Sequence, residues 1–215
     1  MHGDATISGL FYLPHEVRKM SENKKFCIIG TPVAHSGSPA LYRRIFDEHG
    51  FTGYSYVINE IKTEEELLHF LDMMREGEWA GCNVTMPWKT AAFEHMDVLL
   101  DNAALTGAVN TVINRHGLLY GDSTDGGGMC DAIRSDADTD VAGRKVVVLG
   151  CGGAARSIIA ELALRNAANV SVFSRPGRNR DLTKDLITRF MKKTVHFSNA
   201  ARISNPFTAI ELCDF

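Results

Sequence analysis

The chain has 215 residues, 45% of them hydrophobic, and a formal net charge of -3. That composition suits a globular protein with room for two small lobes. It excludes a general nucleic-acid surface, which needs clustered Lys and Arg, and no uninterrupted apolar run approaches the roughly 20 residues that span a bilayer. Residues 1–20 carry acids and His rather than a basic stretch before an apolar core. They read as a disordered leader, not a signal peptide, with Met20 as an alternative start. Cys27, Cys82, Cys130, Cys151 and Cys213 stand singly, without CxxC pairs or His at metal spacing. They are expected to be reduced and mostly buried in a cytoplasmic protein that needs no metal.

Lys25 to Gly30 is a short apolar run ended by Gly and reads as a buried strand. Ser38-Pro39 opens a helix to about His49, with Ser38 as its cap. Tyr54 to Ile58 is the next strand. Thr63 and Glu66 form a capping box for a helix whose apolar face holds Leu67, Phe70, Leu71 and Met74. Gly81 to Thr85 is a strand, Pro87 starts a helix, and Ala108 to Asn114 and Leu118 to Tyr120 are strands. A helix from Gly126 to Arg134 runs into a polar stretch, Ser135 to Gly143, that reads as a linker. Then come the strand Lys145 to Leu149, a Gly-rich turn, a helix to about Asn166, the strand Asn169 to Ser174, a helix from Asp181 to Lys192 and a last strand at Thr208 to Leu212. This alternation makes the chain α/β.

Gly150-x-Gly152-x-x-Ala155 fits the dinucleotide fingerprint in its GxGxxA form. It follows a strand and opens a helix, so Gly150, Gly152, Gly153, Ala154 and Ala155 are candidate cofactor-binding residues. Glycine lets the backbone approach a pyrophosphate, and the helix N-terminus offers free N–H groups. An enzyme using NAD places an acid at the end of the next strand. Here Ser174-Arg175-Pro176-Gly177-Arg178-Asn179-Arg180 stands instead, with no acid before Asp181. The three guanidinium groups of Arg175, Arg178 and Arg180, with Ser174 at the strand end, are therefore expected to take a 2′-phosphate, which favours NADP over NAD. A solvated basic loop is the plainer alternative.

The motifs Ala34-His-Ser-Gly-Ser-Pro39, Gly81-Cys-Asn-Val-Thr-Met-Pro-Trp-Lys89, Gly107-Ala-Val-Asn-Thr111 and Gly121-Asp-Ser-Thr-Asp-Gly126, followed by the glycine turn, resemble the shikimate dehydrogenase family. The resemblance implies an N-terminal α/β substrate-binding domain (21–122) followed by a Rossmann-type NAD(P)-binding domain (123–215), incomplete at its C-terminus. It also implies NADPH-dependent reduction of 3-dehydroshikimate to shikimate in aromatic biosynthesis. Lys89 and Asp125 would be the catalytic pair, Ser36 and Ser38 would hold the substrate carboxylate, and Asn83, Thr85 and Asn110 would hold ring hydroxyls. The expected partner is a small-molecule substrate, with no nucleic acid or membrane, in a chain that could form a homodimer.

The residues themselves support part of this. Ser36 and Ser38 precede a helix N-terminus, which favours an anion; helix capping is the plain alternative. Lys89 lies in a first helical turn, where the dipole disfavours a cation and so suits proton exchange; otherwise it is an ordinary surface Lys. Asp125 is by default a helix cap, and Asn83 and Thr85 share one strand face. Gly37 stands where many relatives carry Lys, and Ser123 where they carry Asn. Gly37, with Trp88 beside Lys89, leaves quinate open as substrate, while Ser123 bears on the positioning of Asp125. No closing helix with a substrate-binding Gln follows, which keeps a non-catalytic form that binds nucleotide or a partner as the alternative.

Overall fold

The structure, a computed structural model, describes residues 23–197 and 209–214, with the side chains of 189–197, 209 and 211–214 left aside. The leader expected at 1–20 and the start of the last expected strand, Thr208, lie outside the described residues. The described residues form two compact units. One comprises 23–101 and 109–122, the other 102–108, 123–197 and 209–214.

The first unit runs β1 (Lys24–Gly30), α1 (Ser38–Glu48), β2 (Tyr54–Glu60), α2 (Glu64–Arg75), β3 (Gly81–Val84), α3 (Lys89–Glu94) and β4 (Val98–Leu99). After α4 (Asp101–Thr106) it resumes with β5 (Thr111–Arg115) and β6 (Leu118–Asp122). Its sheet has the order β2-β1-β3-β5-β6-β4. β1 lies parallel to β2 and β3, whereas β5 is antiparallel to both β3 and β6. β1 is buried from Cys27 to Gly30, as a central strand covered on both faces must be. Leu67, Phe70, Leu71 and Met74 of α2 are all buried, and each removes roughly 1.5–3 kcal/mol of apolar exposure. Phe46 and Tyr56 join Ile28 and Val33 in a further cluster against which Tyr42, Phe51 and Tyr54 pack.

Several expected boundaries shift, some for local and some for tertiary reasons. Helix α1 has Gly37 as its N-cap and Ser38 as its first residue; the amide of Ser38 donates to Ser36 Oγ at 3.2 Å, so Ser36 is the residue that satisfies it. Thr63 caps α2 as expected, accepting from the Glu66 amide at 3.2 Å. Glu66 reaches back one residue further than expected, to the amide of Lys62 at 2.6 Å. The helix expected at Pro87 begins at Lys89, after a turn closed by Trp88 N–H to the Thr85 carbonyl at 3.0 Å. The strand expected from Ala108 begins only at Thr111. Before it, the Val109 amide goes to the Lys89 carbonyl and the Asn110 amide to that of Asp122, both at 2.9 Å. β4 and α4 were not anticipated, because two and six residues are too few to show a period.

The second unit runs α5 (Asp125–Ala137), β7 (Lys145–Leu149), α6 (Gly153–Leu164), β8 (Asn169–Ser174), α7 (Arg178–Phe197) and β9 (Ala209–Asp214). The three strands are parallel in the order β7-β8-β9. The stretch expected as a linker is built into the unit. Residues 135–137 extend α5, and Val141 is buried beside Cys130, Ile159 and Val170. β7 alternates, with Val146 and Val148 facing that cluster while Val147 and Leu149 are 61% and 73% exposed. Cys27, Cys82, Cys130 and Cys151 are buried free thiols.

Candidate functional site

In the first unit the polar residues singled out by sequence lie around the C-terminal ends of β1 and β3. Ser36 and Ser38 are half-buried, and the Ser36 hydroxyl donates to Ser38 Oγ at 3.1 Å. The ring of Tyr42 stacks on that of Tyr56, with centroids 4.1 Å apart and planes 5° from parallel. The Tyr56 hydroxyl donates to Asn83 Oδ1 at 2.7 Å, which leaves the Asn83 amide nitrogen to donate to the Asn110 carbonyl and Thr111 Oγ1, both at 3.4 Å. Thr111 Oγ1 in turn donates to Asn110 Oδ1 at 3.1 Å. Tyr56, Asn83, Asn110 and Thr111 thus form one hydrogen-bonded set, which the Ser36–Ser38 pair joins through a hydrogen bond between Ser38 and Tyr56.

Burial, reinforced by neighbouring Tyr42, Cys27 and Cys82, pushes the Tyr56 phenol far above its ordinary value, and a hydrogen bond with Ser38 opposes the shift. Burial likewise raises Tyr42, against a hydrogen bond with Asn83. Both phenols therefore stay neutral donors at any ordinary pH. Sequence reading missed the two tyrosines. They sit in α1 and β2, remote in sequence from Asn83, and an aromatic residue in either element reads first as core.

Asn110 is fixed by its backbone as well: its carbonyl accepts from the Val84 amide at 2.8 Å. The Thr85 amide donates to the Ile29 carbonyl at 2.8 Å, and half-buried Thr85 follows the end of β3. Lys89, also half-buried, is the first residue of α3. The Trp88 indole is held by the Ile61 carbonyl at 2.8 Å, which pins the residue before Lys89.

The second unit carries the remaining candidates. Asp125 is the first residue of α5 with Thr124 as N-cap, so the plain capping role does not apply to it. The Gly126 amide donates to Ser157 Oγ at 3.0 Å. A Cβ at Gly126 would lie 2.3 Å from the Ser157 carbonyl oxygen, so only glycine lets α5 approach α6 this closely. Gly150 has φ +108°, a conformation open to glycine alone at little cost, and its amide donates to the Phe173 carbonyl at 2.8 Å. Gly152 is the N-cap of α6, and Gly153, Ala154 and Ala155 form its first turn.

Among the described residues, chain neighbours aside, no atom lies within 4 Å of where a Cβ would stand at Gly150 or Gly152. That open surface, beside the orphan amides of a helix start, fits a pyrophosphate. Thr183, fully buried, donates to the Cys151 carbonyl at 3.2 Å and so braces the turn from α7. Nothing in the local sequence flagged it.

Ser174 is only 2% exposed, and its carbonyl accepts from Arg180 at 2.9 Å. The expected phosphate-facing hydroxyl is therefore an interior one, and Arg180 is spent on shaping the loop. Arg175 and Arg178 are exposed just past β8, where a 2′-phosphate would be met. Among the described residues no group of three potential metal ligands comes together.

Residues 28–112 match the family model of the shikimate dehydrogenase substrate binding domain. The NADP(+) shikimate dehydrogenase of Streptococcus mutans serotype c is 35% identical over 167 residues, which cover 78% of this chain and 57% of that protein. The structure of shikimate 5-dehydrogenase from Listeria monocytogenes in complex with shikimate and NAD is similar with TM-score 0.75 and 31% identity, over 89% of this chain and 61% of that one. Shikimate 5-dehydrogenase from Thermus thermophilus in complex with NADP(H) and shikimate gives TM-score 0.68 and 32% identity, over 78% and 61%. The chain thus spans between half and two thirds of the length of these relatives.

Proposed function

Since the chain belongs to the shikimate dehydrogenase family, we propose that it takes part in the reversible, NADP-dependent reduction of 3-dehydroshikimate to shikimate. The observation that carries this reading is the connected set of hydroxyls and carboxamides from Ser36 and Ser38 through Tyr56 and Asn83 to Asn110. Such a set suits a polyhydroxylated acid, whose hydroxyls need partners that both donate and accept. Ser36 and Ser38, at the positive end of α1, would hold the carboxylate. Asn83, Thr85 and Asn110 would hold the ring hydroxyls.

NADP, when bound, supplies or accepts the hydride. Gly150, Gly152, Gly153, Ala154 and Ala155 would receive its pyrophosphate by backbone contact, and Arg175 and Arg178 its 2′-phosphate. Ser174 would act through its backbone, at the turn into the basic loop. In the reductive direction the Lys89 ammonium gives a proton to the carbonyl oxygen as negative charge develops there, and takes it back in oxidation. Asp125 would be the second member of the catalytic pair, acting on a neighbouring hydroxyl of the substrate.

The test is spectrophotometric: purified protein with NADP+ and shikimate, against parallel reactions with quinate and with NAD+. NADPH formation with shikimate, lost in K89M, supports the proposal. Turnover of quinate alone would replace the substrate, and the wild-type sequence with neither turnover nor shikimate binding would overturn it. The reading includes a cytoplasmic homodimer, checked by cell fractionation and sedimentation; no helix among the described residues is long and apolar enough to cross a membrane.

A further inference from the structure

Arg156 is the largest side chain in the protein's described interior, 1% exposed in the first turn of α6. A guanidinium that leaves water needs hydrogen-bond acceptors to offset the loss. Its Nε donates to the Thr106 carbonyl at 3.1 Å, and an Nη extends toward the Gly107 carbonyl at 3.5 Å. Thr106 ends α4, where carbonyls lack helical partners and a cation is favourable. Gly107 closes the helix with φ +63°, its amide donating a hydrogen bond to the Ala103 carbonyl at 2.9 Å. Ala108 and Val109 follow, 1% and 0% exposed. The Val109 amide is the group that meets the Lys89 carbonyl, and the next residue is Asn110.

Ser157, the neighbour of Arg156 and 3% exposed, accepts from the amide of Gly126, the residue after Asp125. Two consecutive buried polar side chains of one helix therefore hold two chain segments, and each segment leads within a few residues to a proposed substrate-site group. An isolated nucleotide-binding helix has no need of either bond.

We propose that Arg156 and Ser157 are positioning residues by which the nucleotide-binding helix α6 sets the backbone on which Asn110, Lys89 and Asp125 depend. Resting on the functional reading above, this predicts that substitutions in a cofactor helix will weaken the substrate more than the cofactor. R156M keeps the aliphatic stem and removes the donors, R156K restores charge with a single point donor, and S157A removes one hydroxyl.

Hydrogen exchange on the whole chain reads the backbone directly. Amides at 107–112 should exchange about tenfold faster in R156M, and amides at 124–128 faster in S157A, with β7 and β8 amides unchanged. Titrations should show shikimate affinity down about tenfold in R156M and NADP+ affinity changed less than about threefold, the tenfold loss being the size of one or two hydrogen bonds. R156K should recover part of the shikimate loss. Wild-type exchange at both segments in folded R156M and S157A would overturn the proposal, as would an equal loss of both ligands. If R156M does not fold, S157A decides by the same two readouts. A wild-type protein that binds no shikimate sinks the functional reading, and the exchange measurement still decides this one.

Discussion

On the function proposed above, the two units would achieve recognition in opposite ways. In the first, side chains converge: Ser36, Ser38, Tyr56, Asn83 and Asn110 each present a polar atom and fix one another's orientation. In the second, side chains are withdrawn: Gly150 and Gly152 leave open surface, and the work falls to backbone amides at the start of α6. A sugar-like acid needs a pattern of donors and acceptors, which only side chains can supply. A pyrophosphate needs close approach and positive potential, which bare backbone supplies best. The contrast predicts that the first unit is damaged by deleting atoms and the second by adding them.

The largest effect should come from K89M, because a positioned proton donor contributes about 10²- to 10⁴-fold. Its kcat should fall by that range with shikimate affinity nearly kept, and an unchanged kcat would remove Lys89 from the chemistry. Next is G152V. Among the described residues, its chain neighbours aside, nothing lies within 4 Å of the added Cβ, so thermal stability should hold while NADP+ affinity falls more than about tenfold, or about 1.4 kcal/mol.

G126A sharpens the distinction, since its Cβ falls 2.3 Å from the Ser157 carbonyl oxygen and 2.8 Å from Glu161 Cβ. Overpacking of that kind costs about 1–3 kcal/mol, and chemical denaturation should show the loss of stability. Y56F deletes the donor to Asn83 Oδ1. It should cost about 1 kcal/mol of stability and raise the KM for shikimate severalfold, with the KM for NADP+ unmoved.

The smallest effect belongs to Asp97, away from both sites. The Leu119 amide holds its carboxyl below the ordinary value of 3.8, with further help from Arg75 against the opposing effect of burial. Its folded value being the lower one, its stabilisation is complete above the unfolded value and fades as pH falls through the folded one. The stability gap between wild type and D97N, followed by thermal melts, should therefore narrow below pH 4.

Much of this was legible because it is local. The glycine turn between β7 and α6, the run of β8 from Asn169 to Ser174 and the capping of α2 by Thr63 depend on neighbours within a few residues. The motifs bearing Ser36, Asn83, Lys89, Asn110 and Asp125 were equally visible as strings. What the strings hid was their support. Tyr56 meets Asn83 across 27 positions, Thr183 reaches Cys151 across 32, and Arg156 reaches Thr106 across 50. None of these residues has a local feature that separates it from an ordinary core or surface position. The delayed starts of α3 and β5 share that cause, since the backbone groups concerned are claimed by distant segments.

By itself the sequence determined the α/β alternation and the place of the glycine turn, and it singled out the polar residues proposed to carry chemistry, because period, glycine and charge act over short spans. Only the tertiary structure decided which hydroxyl faces which amide, that Ser174 is interior while Arg175 is exposed, and which carbonyls a buried guanidinium meets. Those outcomes depend on contacts between segments far apart in the chain, whose geometry exists only once both have packed.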